Sequence, residues 1–226
     1  MAKNDFSAES AENFEQKCLC VLVLDVSGSM RGEPIAELNR GLQDFYNEIK
    51  EDETMSQQLE VCIMTFNDTV KTLQEPALAD NFTMPTLSAY GSTAMVDAVN
   101  EAIEKVDARK TWYKETGQPY YRPWIILMTD GEPDDGQNVH GLGPRIKSDM
   151  EAKRYNFIPI GIQDANMEIL EILGGGKKPL KMQGLKFKQF FQWLSASMGT
   201  IVNHTEGDEV DLTPDQNGIW LDAFTI

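Results

Sequence analysis

The chain is expected to fold as an α/β domain: a Rossmann-like, doubly wound, mostly parallel sheet with one antiparallel edge strand and helices on both faces. Two observations carry this expectation. Short, continuous apolar runs alternate from Cys18 to about Ile201 with helical stretches, most of them 10–20 residues long. Strands joined by helices imply βαβ units and hence parallel pairing. The exception is the pair Leu59–Phe66 and Val70–Leu73, joined only by Asn67-Asp68-Thr69, which reads as a hairpin.

The elements follow in order. Cys18 to Val26 is a buried strand, apolar throughout and ended by small polar residues. Pro34 opens the next helix, because its missing N–H has no intrahelical partner in a first turn. Ile35, Leu38, Leu42, Phe45 and Ile49 form that helix's core-facing stripe. After the hairpin, residues 75–92 are rich in Pro, Thr and Asn and read as loop. A helix from about Ala94 to Ala108 follows, with Val96, Val99, Ile103 and Val106 facing inward. Trp124–Met128 is a second buried strand. Further on come a helix from about Pro144 to Tyr155, a strand over Phe157–Gly161, and a short helix near Asn166–Leu173 that Gly174-Gly175-Gly176 stop. A weak strand near Leu180–Met182 and a last helix over Phe187–Ile201 complete the domain. Residues 1–15 read as a polar N-terminal segment, 16–201 as the domain, and 202–226 as an acidic tail. That tail carries Glu206, Asp208, Glu209, Asp211, Asp215 and Asp222 without a Lys or Arg, yet Ile219, Trp220, Leu221 and Phe224 give it a means to dock.

Composition removes several functions. A chain of 226 residues buries roughly 70–75% of its unfolded surface and needs no staples. Its 36 Asp and Glu against 20 Lys and Arg give a formal charge of −16. Nucleic acid is therefore excluded as a partner, since phosphate contact demands clustered Lys and Arg. An anionic membrane surface would repel the chain too. The longest apolar run, Cys18–Leu24, is far below the roughly 20 residues of a membrane span. The polar N-terminus lacks a basic segment leading into an apolar one, so no secretory signal is read and a cytoplasmic location is expected. Cys18, Cys20 and Cys62 lie in apolar segments and read as reduced core thiols, consistent with that compartment.

The chemistry concentrates at strand ends, where open α/β sheets bind ligands. The first strand ends in Asp25-Val26-Ser27-Gly28-Ser29, whose oxygen side chains at alternate positions share a face if the backbone stays extended. Gly91-Ser92-Thr93 lies just before a helix, and Thr129-Asp130-Gly131 ends the second buried strand. If those two strands are neighbours, the three segments converge. Hard oxygen donors suit Mg²⁺, with Mn²⁺ and Ca²⁺ as alternatives, and two carboxylates balance one divalent ion.

These segments together resemble the metal-ion-dependent adhesion site of von Willebrand factor A domains, and the resemblance extends over roughly residues 16–201. It implies a non-enzymatic protein-binding module. Asp25, Ser27, Ser29, Thr93 and Asp130 would be its metal ligands, the two aspartates binding directly or through water. A partner Asp or Glu would complete the metal's coordination. Within the family, Ser27-Gly28-Ser29-Met30 with Gly32-Glu33-Pro34, Thr129-Asp130-Gly131-Glu132-Pro133, and the aromatic segment Phe187–Ser195 look most like the bacterial intracellular branch associated with tellurium resistance. That branch implies a stress-response setting with a protein kinase or a PP2C-type phosphatase as partner.

Two alternatives keep the same residues. A phosphotransferase of the haloacid dehalogenase type also places an Asp at a strand end on Mg²⁺, but needs a carboxylic acid two residues on, where this chain has Ser27. A third reading keeps the fold and makes the metal purely structural. Gly174-Gly175-Gly176-Lys177-Lys178 is no phosphate-binding loop: Glu171 stands where the first glycine belongs and Lys178 where Ser or Thr belongs. Met30 and Tyr90 are candidates for the rim of the site, Asp134 and Asp135 read as solvated loop, and Trp193 with Phe187, Phe190 and Phe191 reads as helix packing.

Overall fold

A computed structural model describes residues 4–182 and 184–202. Its strands are β1 (Cys18–Asp25), β2 (Leu59–Phe66), β3 (Val70–Leu78), β4 (Trp124–Thr129), β5 (Asn156–Gly161) and β6 (Leu180–Lys181). They form one sheet in the order β3-β2-β1-β4-β5-β6. Only the β2–β3 pair is antiparallel, so the doubly wound sheet with one reversed edge strand is as expected.

The helices are α1 (Glu33–Glu51), α2 (Met55–Gln58), α3 (Met95–Thr116), α4 (Val139–Glu151), α5 (Met167–Leu173) and α6 (Phe187–Val202). Because side chains alternate along a strand, β1 sends Cys18, Cys20, Leu22 and Leu24 to one face and Leu19, Val21 and Val23 to the other. The first face is covered by α1 and α6, the second by α3, α4 and α5. Gly41 lets α1 and α6 approach: a Cβ there would lie 2.8 Å from the Phe191 ring and 3.0 Å from the Phe187 Cβ. Phe187, Phe190 and Phe191 are buried as the aromatic pattern predicts. The three cysteines are free and buried, and burial pushes the Cys18 thiol up to about 12, which keeps it an inert apolar group.

Several boundaries differ from expectation. The edge strand β3 runs to Leu78 rather than Leu73 and includes Pro76, which an edge tolerates because one side needs no ladder bond. Helix α3 continues eight residues past Ala108. Its inward face carries Lys105 and Arg109, both buried, where an apolar stripe would carry aliphatics. Glu60 accepts both the Nε and an Nη of Arg109 at 2.9 and 2.8 Å, Glu75 holds Lys105, and Tyr113 donates to Glu60 at 2.5 Å. Helix α4 begins at Val139 rather than Pro144. Asn138 caps it by accepting from the Gly141 amide, and Gly143 packs so close to α5 that a Cβ would meet the Ile172 carbonyl at 2.3 Å. Packing here overrides poor helix formers. It ends at Glu151, and Lys153 turns left-handed with φ 55°.

Residues near the start are tied down: Phe6 packs on Trp112 and Tyr113, and Glu9 accepts from Arg109 at 2.5 Å. The acidic tail, with its Trp220 and Phe224, lies outside the described residues. No described helix is long and apolar enough to cross a membrane.

Candidate metal centre at the sheet crossover

From β1 the chain winds outward through β2 and β3, then returns to β4 on the other side of β1 and continues through β5 to β6. Strand order reverses between β1 and β4, and the crevice beyond their carboxyl ends is where such sheets bind ligands. Asp25 and Thr129 are the last residues of those two strands, and the Thr129 hydroxyl donates to Asp25 Oδ2 at 2.5 Å. The other carboxylate oxygen, Oδ1, accepts the Ser27 N–H at 2.8 Å. Asp25 thus fixes the Ser27 backbone and joins the two strand ends.

A short 3₁₀ turn over Gly28–Met30 then lifts Ser29 into the crevice. The Ser27 and Ser29 hydroxyl oxygens are 3.0 Å apart, and Ser29 donates to Asp130 Oδ1 at 2.8 Å. The third segment is drawn in by the backbone. Tyr90 N–H donates to the Val26 carbonyl at 2.8 Å, and Gly28 N–H to the Gly91 carbonyl at 3.0 Å. The φ of 80° at Gly91 favours glycine, and a Cβ there would displace the Asp68 carboxylate, which lies 2.5 Å from that position. Next to it, the Thr93 hydroxyl faces Gly131, 3.8 Å from where a Cβ would stand.

All five residues singled out from sequence therefore meet around one crevice. Asp25, Ser27, Thr93 and Asp130 are buried, and Ser29 is the exposed member that opens the cluster to solvent. Burial pushes the Asp25 carboxyl up to about 6; the bonds from Ser27 and Thr129 oppose the rise, and the nearby Asp130 charge adds to it. Asp130 is likewise pushed up by burial, against the bond from Ser29. Among the described residues neither aspartate has a Lys or Arg ion-pair partner. Two carboxylates held where negative charge is disfavoured, beside three hydroxyls, are a donor set that a hard divalent cation fits. Among the described residues no group of three or more His, Cys, Asp and Glu could hold a metal ion, so a cation here would depend on the three hydroxyls as well as the two carboxylates.

A known family's model, described as the von Willebrand factor type A domain, matches residues 20–192. The chain belongs to this family.

No curated relative matches the von Willebrand factor A domain described here. Solved structures share its fold at low identity. The ArnB paralog VWA2 from Sulfolobus acidocaldarius aligns with a TM-score of 0.53 and 20% identity over 80% of this chain and 44% of that one. The PilB minor pilin from Streptococcus sanguinis aligns with a TM-score of 0.61 and 11% identity over 86% of this chain and 64% of that one. Proximal thread matrix protein 1 from the mussel byssus, whose adhesion motif is occupied by zinc, gives a TM-score of 0.55 and 17% identity over 84% and 46%. The domain thus spans less than two thirds of each of these chains.

Some contributors were missed in the sequence. Asp134, read there as a solvated loop residue, is exposed but accepts the Thr93 N–H with both carboxylate oxygens at 3.0 Å and the Ser92 hydroxyl at 2.7 Å. Gln137 spans the same loop, donating to the Thr93 carbonyl at 2.7 Å and accepting from the Val96 N–H at 2.6 Å. Asp68 accepts the Ser92 N–H at 2.7 Å, which holds its carboxyl below the ordinary range. No spacing rule links these residues to Thr93; only the closeness of Asp134 to Asp130 hinted at it. Met30, a rim candidate, is fully buried in the core, whereas Tyr90 is exposed at the rim.

Proposed function

We propose that this domain is a non-enzymatic, divalent-cation-dependent protein-binding module that captures a partner carboxylate at the β1–β4 crevice. The observation that carries the reading is the linked set Thr129–Asp25–Ser27–Ser29–Asp130, with two buried carboxylates that have no Lys or Arg ion-pair partner among the described residues. Ser27, Ser29 and Thr93 would supply neutral oxygens, Asp130 a carboxylate, and Asp25 the charge and the bonds that orient Ser27. Mg²⁺ is the expected ion, with Mn²⁺ or Ca²⁺ as alternatives; the zinc-occupied motif of the mussel protein supports a metal here without fixing which. When bound, the cation supplies a Lewis-acidic position to an incoming Asp or Glu. The chain's own part is to hold the oxygens, exclude competing cationic side chains, and repel free carboxylates through its charge of −16.

A cytoplasmic setting, supported by three buried unpaired thiols, and the resemblance to the tellurium-resistance branch favour a kinase or a PP2C-type phosphatase as the partner. Ser27 in place of an acid argues against phosphotransfer, so turnover of an aryl phosphate with Mg²⁺ is expected to be absent. The test of the binding reading is co-purification of a candidate partner with Mg²⁺ and with EDTA, using wild type and Thr93→Ala. Retention in Mg²⁺ alone, lost in the variant, is expected. Equal retention throughout would leave any metal purely structural.

A further inference from the structure

The loops around the crevice divide by charge. On the β1–β3 side Arg31 and Lys71 are exposed, and Tyr90, 44% exposed, lies with them. Arg31 Nε donates to the Ala89 carbonyl at 3.3 Å, and Lys71 Nζ donates to the Tyr90 hydroxyl at 3.1 Å while lying 5.9 Å from its ring centre. These contacts hold all three against the segment that precedes Thr93. Two acids lie near them: Asp68 is turned to the Ser92 amide, and Glu33 is exposed at the start of α1, two residues beyond Arg31. On the β4–β5 side the exposed charges of the two loops are acidic, Glu132, Asp134 and Asp135 after β4 and Asp164 after β5, with Lys181 of β6 lying beyond them. Asn166 donates to Glu132 at 2.7 Å and ties those two loops together. In a chain of charge −16, two cations beside an exposed tyrosine at the crevice rim are an exception to the surrounding surface.

We propose that the rim reads the charge order of its partner. The partner segment would carry further acids on one flank of the captured carboxylate, docking on Arg31, Lys71 and Tyr90, and bases on the other, docking on Glu132, Asp135 and Asp164. This rests on the carboxylate-capture reading and names the partner's chemistry. Complementary rim charge suppresses wrong partners more than it adds affinity, so the effect belongs in selectivity.

The test is a displayed peptide library with a fixed central Glu and randomised flanks, selected on the full chain in Mg²⁺ and in EDTA. Wild type is expected to enrich, only in Mg²⁺, peptides with Asp or Glu on one flank and Lys or Arg on the other. The double variant Arg31→Glu/Lys71→Glu should keep Mg²⁺-dependent capture while its enrichment of the acidic flank falls roughly tenfold. Mg²⁺-dependent capture without charge bias, or with the same bias in the variant, overturns the rim proposal alone. Absence of any Mg²⁺-dependent enrichment overturns the capture reading, and the rim proposal with it.

Discussion

Replacing Asp25 with asparagine removes a negative charge that the fold buries completely. Burial raises this carboxyl from 3.8 to about 6. At about 1.4 kcal/mol per pH unit, keeping it ionised in the cation-free fold at pH 7 costs about 3 kcal/mol. Asparagine keeps the shape but exchanges an acceptor oxygen for a donor. One of the two bonds accepted from the Ser27 N–H and the Thr129 hydroxyl is therefore lost, at about 1 kcal/mol. Cation-free Asp25→Asn is expected to be more stable than wild type by about 2 kcal/mol at pH 7, or about 4–8 °C in Tm for a chain of this size. The pH sign follows from a raised carboxyl. Below 3.8 the group is protonated in both states and costs nothing; its contribution is lost as pH rises to about 6 and stays lost above. The advantage of the variant should accordingly vanish near pH 4. Mg²⁺ at about a hundredfold its Kd adds about 2.7 kcal/mol to wild type alone and reverses the order. Urea denaturation followed by tryptophan fluorescence, in EDTA and in Mg²⁺ between pH 4 and 8, measures all of this. A variant less stable than wild type in EDTA at pH 7, or equal stabilisation of both by Mg²⁺, would refute the reasoning.

Three further substitutions probe the frame around the site. Gly41→Ala forces α1 from α6 and should cost about 1–3 kcal/mol in urea denaturation; an unchanged midpoint would mean the helices repack freely. Glu60→Gln leaves Arg109, only 3% exposed, without its doubly bonded carboxylate and should cost about 3 kcal/mol or more, read in the same way. Asp134→Ala releases the Thr93 amide and the Ser92 hydroxyl, so Mn²⁺ affinity should fall roughly tenfold in a calorimetric titration, and an unchanged affinity would remove Asp134 from the site.

The fold was legible because its central strands β1, β2, β4 and β5 are buried on both faces and its first helix carries a clean stripe from Leu38 to Ile49. The convergence of Asp25, Ser27, Ser29, Thr93 and Asp130 was legible for a related reason: each sits within a few residues of a strand end or helix start that the pattern already placed. Long-range polar pairing was not. Lys105 and Arg109 broke the apolar period of α3 although they continue its buried face, because their partners Glu60 and Glu75 lie on other strands. Met30 reads as a loop residue by its neighbours Ser29 and Arg31, yet the 3₁₀ turn drives it into the core. Pro144 suggested a helix start, and only the close packing of Gly143 on α5 explains why α4 begins earlier.

The central claim is a single hard-cation site built from these five side chains, and titration with Mn²⁺ followed by electron paramagnetic resonance addresses it most directly. One saturable Mn²⁺ per chain is expected at pH 7.5, competed by Mg²⁺, with affinity reduced roughly tenfold or more in both Ser29→Ala and Asp130→Asn. Absence of saturable binding, or wild-type affinity in both variants, would contradict it.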